Sequence, residues 1–83
     1  MHFVIHYSLD FEDEALSLAR RLFAQLDERI DSLALIPVGY DELDLYLNGE
    51  LIHSYRQSGR PPRVSDVTSA LAGVPLQPRS PQA

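Results

Sequence analysis

The segment Leu43-Asp44-Leu45-Tyr46-Leu47-Asn48-Gly49-Glu50-Leu51-Ile52 constrains this chain more than any other. Leu43, Leu45 and Leu47 alternate with Glu42, Asp44 and Tyr46, which is the period of a half-buried strand. Asn48-Gly49 follows, and both residues tolerate the positive φ that a two-residue hairpin turn demands. Glu50 to Tyr55 is then the returning strand. In the simplest register Tyr46 faces Leu51, Leu45 faces Ile52 and Asp44 faces His53. Leu43, Leu45 and Ile52 then share one face, and Tyr46, Leu51, His53 and Tyr55 share the other.

An isolated hairpin is marginal in water, so other elements must cover one of its faces. His2 to Tyr7 is a β-branched, aromatic and apolar run that reads as a strand. Ser8 or Asp10 can cap a following helix, and Glu12, Asp13 and Glu14 suit its positive end. That helix spans about Phe11 to Leu26, with Ala15, Ala19, Leu22, Phe23 and Leu26 on its apolar face and Leu16 and Leu18 widening it. Ile30 to Ile36, bounded by Pro37 and Gly39, is the second strand of a right-handed βαβ unit. Gln57 to Arg63 reads as a loop. Ser65 is a plausible cap for a second helix over about Asp66 to Leu71, with Val67, Ala70 and Leu71 facing inward and with Gly73 and Pro75 as its stop.

The resulting order is β-α-β-β-β-α. No helix separates the second and third strands, so both helices can lie on one face. The expected fold class is α/β (α+β), a two-layer domain with a four-stranded mixed sheet and one open face. Residues 1–74 form the expected domain. Residues 75–83 hold three prolines and little apolar content, and are expected to be a disordered tail.

With 83 residues and net charge −5, the chain is a small acidic domain, for which dimerisation is a reasonable expectation. All seven basic residues are arginine, and they are dispersed. A nucleic-acid surface needs a basic stripe to displace counterions, so no nucleic-acid partner is expected. No apolar run nears the roughly 18–20 residues of a membrane span, and no signal-peptide pattern opens the chain. No membrane partner is therefore expected, and the expected location is cytoplasmic. There is no cysteine, which removes disulfides, thiolate metal sites and thiol–disulfide chemistry.

Asn48-Gly49-Glu50-Leu51-Ile52, with Ser54 after it and then Gly59-Arg60 and Pro62, resembles the selenoprotein W (Rdx) family. Its members share an Asn-Gly hairpin, a following serine and a Gly-Arg-Phe-Pro-like loop. Leu43-Asp44-Leu45 stands where the family tends to have Phe-Glu-Val, and Pro37 ends the second strand in a familiar place. The resemblance covers roughly residues 3–72 and implies a minimal thioredoxin-like fold. It breaks at the functional end. The family's Cys-x-x-Cys or Cys-x-x-selenocysteine loop follows the first strand, and here Ser8 and Phe11 occupy those two positions. Tyr40-Asp41 stands where glycines are expected, and Pro61 replaces the loop's aromatic residue. The chain therefore resembles a degenerate member without the redox motif.

Candidate sites follow from what remains. Ser8 as a nucleophile would need an adjacent base, and His6 points to the other side of its strand from Tyr7. His2 and His6 share a strand face but lie about 13 Å apart, too far for one metal ion. No metal, cofactor or catalytic residue is expected. Ser8, Arg60 and Arg63 are weak anion-site candidates. Tyr46, Leu51, His53 and Tyr55 are the interface candidates, because an uncovered aromatic and apolar patch marks a contact surface. The expected function is a redox-inactive domain that binds a protein partner or a second copy of itself. One alternative is a small-molecule or anion binder, or a non-redox enzyme, using the first helix's N-terminus around Ser8. Another is an accessory subunit of a redox system whose cysteines lie in a partner. With no thiolate at position 8 or 11, insulin reduction by dithiothreitol in the presence of the pure protein should proceed at the protein-free rate. Catalysed turnover would overturn the redox-inactive reading.

Overall fold

The computed structural model describes residues 1–72, so Gly73, Pro75 and the expected tail over 75–83 lie outside the described residues. Four strands form one sheet: β1 (His2–Tyr7), β2 (Ser32–Pro37), β3 (Leu43–Leu47) and β4 (Glu50–Ser54). Three helices accompany them: α1 (Glu12–Leu26), the single turn α2 (Tyr55–Ser58) and α3 (Val64–Leu71). The spatial order is β2-β1-β3-β4, with β1 parallel to β2 and antiparallel to β3, and β3 antiparallel to β4. This is the two-layer, mixed-sheet architecture that the sequence pattern predicts, with one extra helical turn.

One face of the sheet is the core. Phe3 and Ile5 of β1 and Leu43, Leu45 and Leu47 of β3 pack with Ala15, Leu18, Ala19, Leu22 and Leu26 of α1 and Val67 of α3 in one buried cluster. Both longer helices therefore cover the same face. The opposite face carries Val4, His6, Asp44 and Tyr46 of the central strands, and among the described residues no helix lies over them.

Local chemistry explains the departures from expectation. A 3₁₀ turn at Leu9–Phe11 precedes α1, and no side chain caps either element. Ser8 stands at the N-cap position of the 3₁₀ turn but its side chain is drawn to Glu42 instead of capping, as described below, and Asp10 lies within the turn. Phe23 lies outside the apolar face of α1 and is 51% exposed, whereas Leu18 is fully buried. The face is centred on Ala15, Leu22 and Leu26, and Phe23 sits one step around the helix from it. β2 begins at Ser32 because a 3₁₀ turn at Asp27–Arg29 occupies the chain before it. The second long helix starts at Val64 rather than Asp66, and Arg63, not Ser65, is its N-cap residue. The Asp66 carboxylate accepts the Arg63 N–H at 2.8 Å, which satisfies a donor that the helix start would leave free.

The hairpin departs in one residue, with large effect. Asn48 and Gly49 adopt φ of 52° and 87°, the left-handed pair of a two-residue turn. Leu47 faces Glu50 and Tyr46 faces Leu51, as the simple register requires. Beyond that point Leu45 faces His53 and Asp44 faces Ser54, so Ile52 is the extra residue of a β-bulge. A one-residue slip exchanges the faces of every later side chain. The expected Leu45–Ile52 and Asp44–His53 pairs do not form.

Leu45 is fully buried in a central strand, whereas Glu50 is exposed at the start of β4. Leu45→Ala should therefore lower unfolding free energy by about 2–5 kcal/mol through lost burial and a cavity. Glu50→Ala should cost about 0.5 kcal/mol or less. Urea midpoints measured by circular dichroism compare the two.

Candidate functional site

Ser8 and Phe11, at the end of β1, are closed off by packing and hydrogen bonding. The Ser8 N–H donates to the Glu42 carbonyl at 2.8 Å. The Ser8 hydroxyl oxygen accepts the Glu42 N–H in a longer contact of 3.4 Å. Ser8 is only 2% exposed, and its carbonyl accepts the Phe11 N–H. The Phe11 ring meets Tyr55 at a centroid distance of 4.7 Å, and both rings pack on the core. Two large aromatic rings now fill this corner and leave Ser8 as a buried link to the loop before β3.

That loop is held from the other side. Asp41 has φ 49°, the left-handed conformation that glycine adopts most readily and aspartate tolerates. An acidic residue thus takes the backbone role for which the resemblance implies a glycine. Arg56 of α2 donates to the Tyr40 carbonyl at 2.6 Å and to the Asp41 carbonyl at 3.3 Å.

The β-bulge turns His53 inward, to a buried position among Ser58, Arg60 and Asp66. His53 Nε2 lies 2.8 Å from Ser58 Oγ and 3.0 Å from the Arg60 carbonyl, and Nδ1 lies 3.5 Å from Asp66 Oδ2. Serine, histidine and aspartate in this order invite comparison with a nucleophilic triad, but the bonding argues for a structural junction. The Arg60 carbonyl can only accept, so we assign a proton to Nε2. Ser58 Oγ then gives its own proton to the Ser54 carbonyl, 2.8 Å away, or to the Arg60 carbonyl at 3.0 Å. A base that already carries a proton towards the serine cannot activate it. Asp66 is committed as well, with both oxygens bound to the Arg60 guanidinium at 2.8 and 3.1 Å. The junction ties β4, the loop after α2 and the start of α3 together. Gly59, with φ 77°, makes the sharp exit from α2 that brings the Arg60 carbonyl back to His53.

Two interface candidates are therefore misplaced by the simple hairpin register. His53 is buried on the helix side of the sheet, and Tyr55 packs on Phe11 at the start of α2. Tyr46 and Leu51 remain opposite each other on the open face. Tyr46 also meets His6 there, with ring centroids 4.8 Å apart, and Leu51 is 43% exposed. Asp44 shares that face, and its Oδ1 is buried without a hydrogen-bond partner among the described residues. The anion-site candidates are not assembled either. Ser8 is buried, Arg60 is paired with Asp66, and Arg63 is exposed. A cavity of about 350 Å³ between α1 and the loop before α3 is lined by Asp13, Glu14, Ser17, Arg21, Pro61 and Pro62. Neither Ser8 nor any histidine lines it. Among the described residues no three acidic or histidine side chains converge as a metal site.

No protein-family model matches the sequence, and no curated protein matches it in sequence. Solved structures do match in fold. A selenoprotein W-related protein from Vibrio cholerae superposes with a TM-score of 0.76 at 20% identity, over 88% of this chain and 94% of that one. A protein from Bordetella parapertussis superposes with a TM-score of 0.75 at 16% identity, over 87% and 94%.

Burial pushes the Asp66 carboxyl up, but the Arg60 guanidinium, the Arg63 N–H and His53 together outweigh it and hold it below the usual carboxylate range. A carboxyl lowered on folding stabilises the native state above its unfolded value of about 4, and that contribution fades as pH falls below it. Asp66→Asn should therefore lower the urea midpoint at pH 7, and the gap to wild type should narrow as pH falls below about 4. A gap of equal size at pH 7 and at low pH would show that charge is not what Asp66 contributes. The fold is thus that of a selenoprotein W-related protein, a thioredoxin-like β-α-β-β-β-α domain, carried here by a chain without cysteine.

Proposed function

We propose that this chain is a redox-inactive domain of the selenoprotein W-related fold that works by binding a protein partner through the open face of its sheet. The observation that supports this reading is the patch on β1, β3 and β4 where Tyr46 pairs with His6 and faces Leu51. Tyrosine offers a large rigid surface with a polar tip, the character of an interface anchor. A partner that brings an apolar side chain complements this patch.

The chemistry of the β1 end supports binding over catalysis. Ser8 has no base, Phe11 and Tyr55 fill the corner, and the Ser58–His53–Asp66 group spends its protons internally.

Tyr46→Ser together with Leu51→Ser tests the reading. Protein that co-purifies with the native chain should be lost from the double variant while the far-ultraviolet circular dichroism stays native. Retention of that partner by a folded double variant would sink the open-face reading.

A further inference from the structure

The sheet has two edges, and they are treated differently. β4 is blunted in three ways: Glu50 opens it, the Ile52 bulge interrupts it, and α2 begins directly at its end. Such devices keep an edge from pairing with another chain. β2 has none of them. Its six residues, Ser32-Leu33-Ala34-Leu35-Ile36-Pro37, include no charge, and proline comes only at the last position. Among the described residues no strand pairs with its outer side.

Above this edge lies an apolar flank of α1. The helix turns about 100° per residue. Its core face is centred on Ala15, Leu22 and Leu26. Ser17 and Arg21 lie to one side, towards Pro61, Pro62 and α3, and α3 rests on β4. Leu16 and Phe23 lie on the other side, which the sheet order places over β2. They are 43% and 51% exposed, and Leu33 and Leu35 beneath are only half-buried.

We propose that the outer edge of β2 and the Leu16–Phe23 flank form a self-association surface, on which two copies of this chain pair β2 to β2 antiparallel about a two-fold axis. Centred on Ala34, the pairing sets Leu33 against the partner's Leu35 and Ser32 against the partner's Ile36. Residues of equal parity meet, so the helix-covered faces of both sheets stay on one side. The two α1 helices then run antiparallel across the axis, with Leu16 of one near Phe23 of the other. The surface is complementary to itself in main-chain bonding and in apolar content, which identifies a second copy as the occupant. An unrelated partner would need both a free uncharged strand and an apolar helix flank at the same offset. The pairing closes on itself, since it consumes the unprotected edge and leaves only the blunted ones. It uses a different surface from the open face, so the two readings stand or fall separately.

Sedimentation equilibrium of the full chain tests the proposal. Wild type should sediment as a dimer, and the Tyr46→Ser, Leu51→Ser variant should remain one. Leu16→Gln together with Phe23→Gln should raise the dimer Kd at least about tenfold with unchanged circular dichroism. Amide exchange supplies a second readout that needs no variant: alternate N–H groups of β2 should gain protection as protein concentration rises. A wild type that stays monomeric at its highest soluble concentration overturns the proposal. So does a folded Leu16, Phe23 variant with wild-type affinity, or β2 exchange that ignores concentration.

Discussion

The single extra residue at Ile52 governs the second half of this molecule. Without the bulge, His53 would stand on the open face and α3 would have nothing polar to dock on. With it, an imidazole enters the helix side of the sheet and meets a carbonyl, a hydroxyl and a carboxylate there. Buried polar groups are costly without partners, and here Nε2 has a carbonyl and a hydroxyl within hydrogen-bond reach while Asp66 lies 3.5 Å from Nδ1. Ser58, Arg60 and Asp66 are placed by this requirement as much as by apolar contact. α3 contributes only one fully buried side chain, Val67, so the polar junction has to supply what its small core face does not.

The β1 end is held together by local contacts, without any thiol. Ser8 retains a backbone position in which its N–H reaches the Glu42 carbonyl, and its hydroxyl turns to the same residue. Phe11 and Tyr55 fill the volume next to it. Asp41 accepts a left-handed backbone, and Arg56 bonds to the carbonyls on either side of that strained link. Each of these features is satisfied by a local partner and makes no demand on the sheet beneath.

Most of the architecture was legible because it rests on period and turn chemistry. Alternating leucines, the Asn48-Gly49 turn and the three- and four-residue spacing in α1 are strong, short-range signals. What escaped was set by contacts across the chain. No local pattern announces an added residue at Ile52, since Leu51, Ile52 and His53 suit either register equally well. Two of the four interface candidates, His53 and Tyr55, were misplaced for that reason alone. The one usable clue was Asp66, an acidic residue three positions after Arg63 and six after Arg60, whose partners had to come from the loop before it. The flank made by Leu16 and Phe23 was hidden differently: both residues are apolar, and only the position of α3 decides which side of α1 stays bare.

β1 is made first yet lies inside the sheet, between β2 and β3. Its Phe3 aligns with Leu33 on one side and Leu47 on the other. On a ribosome one edge of that strand must therefore wait for β2, and the other until nearly the whole of β3 has emerged. The β3–β4 hairpin faces no such delay, since its turn spans two residues and its loop closes at small entropic cost. The order of assembly thus runs against the order of synthesis. An apolar N-terminal strand held open in a nascent chain is the stage at which this protein is most exposed to wrong pairing.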